Sequence, residues 1–203
     1  DLACEVSEPY SVDSAGHVWY ACYGSNVNYE RFLRYINDCT DRTPPAESRP
    51  FLFPCPLYFG KYTSTWHGAK AFLDLTGKGS AFGRIYRITE EQFDEIQRME
   101  GSDYTRKVEL GTIDGLPVLS FTDRDRNPNK LPSASYFLTI LDGLCECWGD
   151  TLTRRDLALY LTEQILPQHC AYAAFTVRKS PHAISLREIT RQTRMTDETA
   201  KYV

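Results

Sequence analysis

The chain of 203 residues lacks the features that would place it in several large classes of protein. It has no run of about 18 apolar residues, which a membrane-spanning helix requires, so we do not expect it to bind a membrane. Its Lys and Arg residues are scattered and its formal net charge is −4, so nucleic acid is not an expected partner. We find no cofactor motif and no internal repeat.

Cysteine and histidine are present but are not spaced as metal ligands. The seven cysteines are odd in number and include no CxxC pair, and the four histidines are dispersed. Cys145 and Cys147 form a C-x-C pair, which is a weak metal signal. We interpret the cysteines as free thiols packed in a reduced protein, and we therefore expect a cytoplasmic location.

The order of predicted elements indicates an α+β fold. Strands dominate the first two thirds and helices the last third, without the βαβ alternation of a doubly wound sheet. We expect a mixed, β-barrel-like sheet with flanking helices, formed by one domain over 18–203 after a flexible arm over 1–17. Residues 40–56 contain five prolines, so they predict a long irregular connection that could cover a site.

The C-terminal part of the sequence has the pattern of a further helix, which would begin with the capping box Ser185–Glu188. It carries Arg187, Arg191 and Arg194. Two interpretations of these arginines stay open: a solvated face and a contact with a partner.

An aromatic strand ends abruptly at a tight turn near the N-terminus. The apolar run Val18–Tyr23 predicts the strand, and Gly24-Ser25-Asn26 follows it directly. Asn28 then caps a helix that continues to about Asp38. Backbone N–H groups at such a turn suit an anion such as a carboxylate. The alternative is a plain connection between a strand and a helix.

The clearest helix in the sequence follows the strand Ser80–Ile88. Thr89 and Gln92 form a capping box at its start, and Gly101 is suited to its end. This assignment makes Glu100 a residue of the last helical turn.

Glu100 is predicted on the apolar face of this helix. At about 100° per residue, Phe93 at zero puts Ile96 at about −60° and Glu100 at about −20°. Burial and the negative end of the helix dipole both raise the pKa of a carboxylate there, which makes it a better base near neutral pH. The alternatives are that Glu100 turns outward at the helix end, or pairs with Arg84 or Arg106.

Several segments together resemble the gamma-glutamylcyclotransferase family over roughly 18–165. The match includes the Tyr-Gly-Ser-Asn turn and a Glu-Gly pair at the expected place in the chain. The matching segments are Tyr20–Asn26, Thr65–Gly68, Phe82–Ile88, Gln97–Gly101 with Tyr104 after it, and Pro132–Tyr136.

The resemblance implies cleavage of a gamma-glutamyl amide by the α-amine of the same glutamyl group, which releases pyroglutamate and a free amine or amino acid. Glu100 would transfer the proton, and no metal or organic cofactor is required. The implied substrate-binding residues are Tyr20, Ala21, Cys22, Tyr23, Gly24, Ser25, Asn26 and Tyr136.

Three matters stay open after the resemblance. The leaving amine is not identified, because 40–56 and the tail after 167 have no counterpart in the family pattern. A homodimer is left open. The alternative functions are a non-catalytic module that binds a ligand or a partner on the same fold, and a related acyl-transfer enzyme of secondary metabolism.

Overall fold

The computed structural model describes residues 4–5, 12–128 and 130–165. The strands in chain order are β1 (Cys4–Glu5), β2 (His17–Cys22), β3 (Glu47–Phe53), β4 (Leu57–Thr63), β5 (Gly68–Leu73), β6 (Ala81–Thr89), β7 (Arg106–Ile113) and β8 (Leu116–Thr122). The α-helices are α1 (Tyr29–Asp38), α2 (Glu90–Glu100), α3 (Ala134–Trp148) and α4 (154–165). Two short 3-10 helices cover Ser25–Val27 and Gly101–Asp103.

A six-stranded mixed sheet forms the centre of the fold. Its order is β1-β7-β8-β2-β6-β3, and β4 pairs with β5 in a separate hairpin. Strand β2 runs parallel to β8, and the other pairs are antiparallel. The mixed sheet with helices confirms the predicted α+β fold. In the described residues β1 and β3 remain opposite edges, so this sheet is open rather than closed into a barrel.

The prediction that 40–56 is an irregular connection was wrong for its second half. Glu47–Phe53 is strand β3 and pairs with β6 along its whole length. Alternate residues of β3 are exposed, as expected for an edge strand. Pro50 is compatible with this position because an edge strand has one side on which no N–H donor is needed. The five prolines of the segment concealed the alternation.

Local capping signals were read correctly from the sequence. The Asn28 side chain accepts the N–H of Arg31 at the start of α1. Thr89 and Gln92 form both hydrogen bonds of a capping box at the start of α2. Gly101 then ends α2 with a φ of 78°, a conformation that favours glycine.

The domain boundaries remain a prediction. Within the expected arm over 1–17, Cys4–Glu5 pairs with β7. The predicted helix after Ser185 lies outside the described residues. Among the helices that are described, none has the length and apolar character needed to cross a membrane.

Candidate active site

The turn after β2 is held from the neighbouring strand. The Tyr86 hydroxyl donates to the carbonyl oxygens of Asn26, at 3.0 Å, and Val27, at 3.3 Å. The guanidinium of Arg84 also donates to the Val27 carbonyl, at 3.2 Å. Since both donors project from β6, the sheet itself determines the position of the turn.

Arg84 is engaged in this support and not in a pair with Glu100. Its guanidinium contacts Glu146 of α3 at 2.9 Å, and Glu146 also accepts the backbone N–H of Tyr29. One carboxylate thus joins the start of α1, strand β6 and helix α3. Arg84 therefore does not form the ion pair with Glu100 that was one of the alternatives.

Gly24 of the turn lies against the hydroxyl of Tyr136, a residue of α3. A Cβ atom at this position would lie 2.8 Å from the hydroxyl oxygen of Tyr136. That oxygen accepts the backbone N–H of Ala71 at 3.1 Å and also that of Ser25. Glycine therefore allows Tyr136 to reach the turn.

The carboxylate of Glu100 lies beside the same turn. Its Oε1 atom accepts a hydrogen bond from the side-chain amide of Asn26 at 3.0 Å, and the Tyr35 hydroxyl donates to the same carboxylate. Asn26 also donates to the Tyr20 hydroxyl at 3.2 Å. The predicted inward face of α2 thus places Glu100 against the predicted turn.

Burial raises the pKa of Glu100 above its ordinary value. The hydrogen bonds from Tyr35 and Asn26, and the positive charges of Lys70 and Arg31, oppose this effect in part. Lys70 is itself paired with Asp103 at 2.6 Å. Desolvation prevails, so the carboxyl group holds its proton to a higher pH than an exposed glutamate does.

A small cavity of about 40 Å³ connects these groups. Since about 10–15 Å³ of such volume holds one water, it has room for only a few heavy atoms. Its walls consist of aromatic rings and of polar groups, among them the Glu100 carboxylate and the Asn26 amide. The lining residues are Tyr20, Tyr23, Gly24, Ser25, Asn26, Tyr35, Trp66, Lys70, Glu100, Tyr104, Phe121 and Tyr136.

Seven of the residues expected at the site line the cavity, and two do not. Ala21 and Cys22 lie within β2, between β6 and β8, and they are buried. The Ala21 carbonyl accepts the hydroxyl of Ser120, and the Cys22 thiol donates to the carbonyl of Arg84. They contribute to the sheet that supports the turn.

Tyr104, which belongs to the Glu-Gly…Tyr segment of the resemblance, also lines the cavity. Three lining residues were missed by sequence reasoning, namely Tyr35, Lys70 and Phe121. Lys70 alone carried a visible signal, as the single charge between the buried Ala69 and Ala71 of β5. Tyr35 and Phe121 look like ordinary aromatic residues in the sequence.

Trp66 also lines the cavity, and the centroid of its ring lies 5.0 Å from that of the Tyr136 ring.

The arrangement offers chemistry that needs one proton carrier and several fixed donors. Glu100 can accept or release a proton, and its raised pKa makes it a stronger base than an exposed glutamate. Tyrosine hydroxyls and turn N–H groups lie around the same space. A carboxylate surrounded by fixed hydrogen-bond donors is suited to proton transfer to or from a small polar group of a ligand.

Known structures share this fold. A gamma-glutamyl cyclotransferase superposes with a TM-score of 0.52 at 18% identity, covering 89% of this chain and 99% of that one. An uncharacterized protein from Homo sapiens superposes with a TM-score of 0.51 at 18% identity, covering 88% and 99%. The chain therefore has a gamma-glutamyl cyclotransferase-like fold, as its sequence motifs predicted.

Sequence comparison adds one distant relative. The protein called Histone deacetylase 5 from Arabidopsis thaliana is 24% identical over an alignment of 204 residues, which covers 73% of this chain. The alignment spans only 31% of that protein, so the likeness concerns a part of it. No family model matches the sequence.

Proposed function

We propose that the protein is a gamma-glutamylcyclotransferase that acts without a cofactor. In this reaction the α-amine of a gamma-glutamyl group attacks its own γ-carbonyl carbon. Pyroglutamate forms, and the amine or amino acid on the other side of the amide leaves. The hydrogen bond between Asn26 and Glu100 is the observation that carries the proposal, since it joins the predicted anion-binding turn to a partly buried carboxylate.

Glu100 is the proton carrier in this scheme. The α-amine must lose a proton before or while it attacks, and the leaving nitrogen must gain one. A single carboxylate beside both nitrogens performs both transfers. Its raised pKa brings its proton affinity closer to that of the groups it serves.

The turn and its surroundings position the substrate. The first N–H groups of a 3-10 helix lack partners within that helix. Since the Ser25 N–H is donated to Tyr136, the N–H groups of Gly24 and Asn26 offer the place for the glutamyl α-carboxylate. Ring closure is intramolecular, and the protein gains its rate mainly by holding nitrogen and carbonyl in reach of each other. The small cavity takes the reacting groups of the glutamyl end, and the rest of the substrate would extend outward.

Turnover of a substrate panel tests the proposal. Purified protein is incubated with gamma-glutamyl amino acids and gamma-glutamyl amines, and pyroglutamate is quantified. We expect product from at least one of them, and Glu100→Gln should reduce kcat at least about 100-fold because the amide cannot carry the proton.

Glu91→Gln is the matched control because Glu91 is exposed in the first turn of the same helix. It should keep wild-type turnover. Binding of the panel without any product, or full activity in Glu100→Gln, would instead favour a non-catalytic module.

A further inference from the structure

The hydroxyl of Tyr136 joins two parts of the chain that are far apart in sequence. It accepts the N–H of Ala71, in β5, and the N–H of Ser25, in the 3-10 helix after β2. The residue is 2% exposed, so water does not compete freely for these contacts. The oxygen is thereby fixed at the wall of the cavity.

These two contacts determine the direction of the hydroxyl proton. A tyrosine hydroxyl has one proton to donate and lone pairs with which to accept. Two N–H groups occupy the accepting side, and Gly24 closes another approach to the oxygen. No group in the described part of the chain accepts a hydrogen bond from the Tyr136 hydroxyl. The O–H of Tyr136 is therefore directed into the cavity.

We propose that Tyr136 is a catalytic residue, whose hydroxyl donates a hydrogen bond to the γ-carbonyl oxygen of the substrate. This inference rests on the proposed function. When the α-amine forms its bond to the γ-carbon, the π electron pair of the carbonyl moves to this oxygen. When the old carbon–nitrogen bond breaks, the pair returns and the leaving nitrogen takes the proton that Glu100 carries. Tyr136 keeps its own proton throughout.

The surroundings of the hydroxyl suit an oxygen whose charge develops during the reaction. Two N–H donors polarise the phenol and strengthen it as a donor. Burial also raises the pKa of Tyr136, so that the group stays neutral and protonated near neutral pH. A fixed neutral donor stabilises a developing oxyanion more than the uncharged carbonyl of the ground state, and this difference accelerates the step.

The substitution Tyr136→Phe tests the role. It removes only the hydroxyl and keeps the ring that packs against Trp66. We expect kcat to fall about 100-fold, the loss typical of one oxyanion donor, with little change in KM.

Tyr160→Phe is the matched control for that substitution. The Tyr160 hydroxyl also accepts a strand N–H, from Phe82 at 3.0 Å, but it does not line this cavity. It should leave kcat unchanged. A rise in KM with unchanged kcat in Tyr136→Phe would mean that the hydroxyl binds the ground-state carboxylate, and would overturn the proposal.

Fluorinated tyrosine at position 136 separates chemistry from structure. It keeps the size and contacts of the phenol while making it more acidic. We expect kcat at neutral pH to change across a series of fluorinated tyrosines, because the strength of the donated hydrogen bond changes with the acidity of the phenol. A kcat that is the same across the series would assign Tyr136 a structural role only. If the wild-type protein makes no pyroglutamate, the proposed function itself fails. Glu100-dependent turnover that survives in Tyr136→Phe overturns only this inference.

Discussion

At the scale of single residues, burial raises the pKa of Glu100, and the contact with Asn26 is one of the interactions that oppose this rise. The Asn26 amide donates to the carboxylate and favours its charged form, against the effect of burial. Asn26→Asp keeps the shape but replaces the donor with a second negative group, which raises the pKa of Glu100 further. We expect the acidic limb of the kcat/KM profile to move to higher pH, with kcat/KM at pH 7 reduced about tenfold or more.

Asn37→Asp provides the control for that charge change. Asn37 is exposed on α1, so the same substitution there adds a carboxylate without touching the cavity. Its profile should match that of the wild type. An unmoved acidic limb in Asn26→Asp would show that Glu100 is not the group whose ionisation limits turnover.

At the scale of elements, Gly143 allows helix α3 to pack closely on the 3-10 helix and the residue after it. A Cβ atom at Gly143 would overlap the backbone of Val27 and Asn28. Gly143→Ala should therefore destabilise the fold by about 1–3 kcal/mol, although alanine is intrinsically the better helix former by about 1 kcal/mol. Urea unfolding measures this loss, and activity should fall with it because the turn shifts.

The control for this helix is Ser135→Ala, at an exposed position of α3. It should change stability by less than about 0.5 kcal/mol. A Gly143→Ala protein that is as stable as the wild type would contradict the close packing of α3 on the turn.

The sequence predicted best those elements that neighbouring residues in the chain determine. The capping box of α2 needs only Thr89 and Gln92, which are three residues apart in the chain. It fixed the start of the helix and thereby the face on which Glu100 was expected. Strand β3 was missed because its partner β6 begins 28 residues after β3 ends, and only that pairing reveals its alternation. Its prolines carried a stronger local signal for a loop.

At the scale of the whole molecule, the site exists only after long-range assembly. Its lining residues come from α1, α2, α3, β5, β8 and the segment at the end of β2. Sequence motifs marked the parts that resemble a known family, such as Glu100 and the Gly24 turn. They could not mark Tyr35 or Lys70, whose roles arise from where separate elements come to lie.

Stability of the whole molecule should reflect the burial of Glu100. Its pKa is raised in the folded state, so the folded state binds this proton more tightly than the unfolded chain does. Folding is therefore favoured while the group is protonated, and this contribution is lost as the pH rises from the unfolded pKa through the folded one. We expect Glu100→Gln to melt at a higher temperature than the wild type at pH 7, with the difference shrinking toward pH 4. Thermal unfolding across this range measures it, with Glu91→Gln as the control. A difference in melting temperature that does not vary with pH would contradict a buried, titrating carboxyl group. Under the proposed function, the lower stability of the wild type at pH 7 is the cost of keeping a catalytic carboxylate at this position.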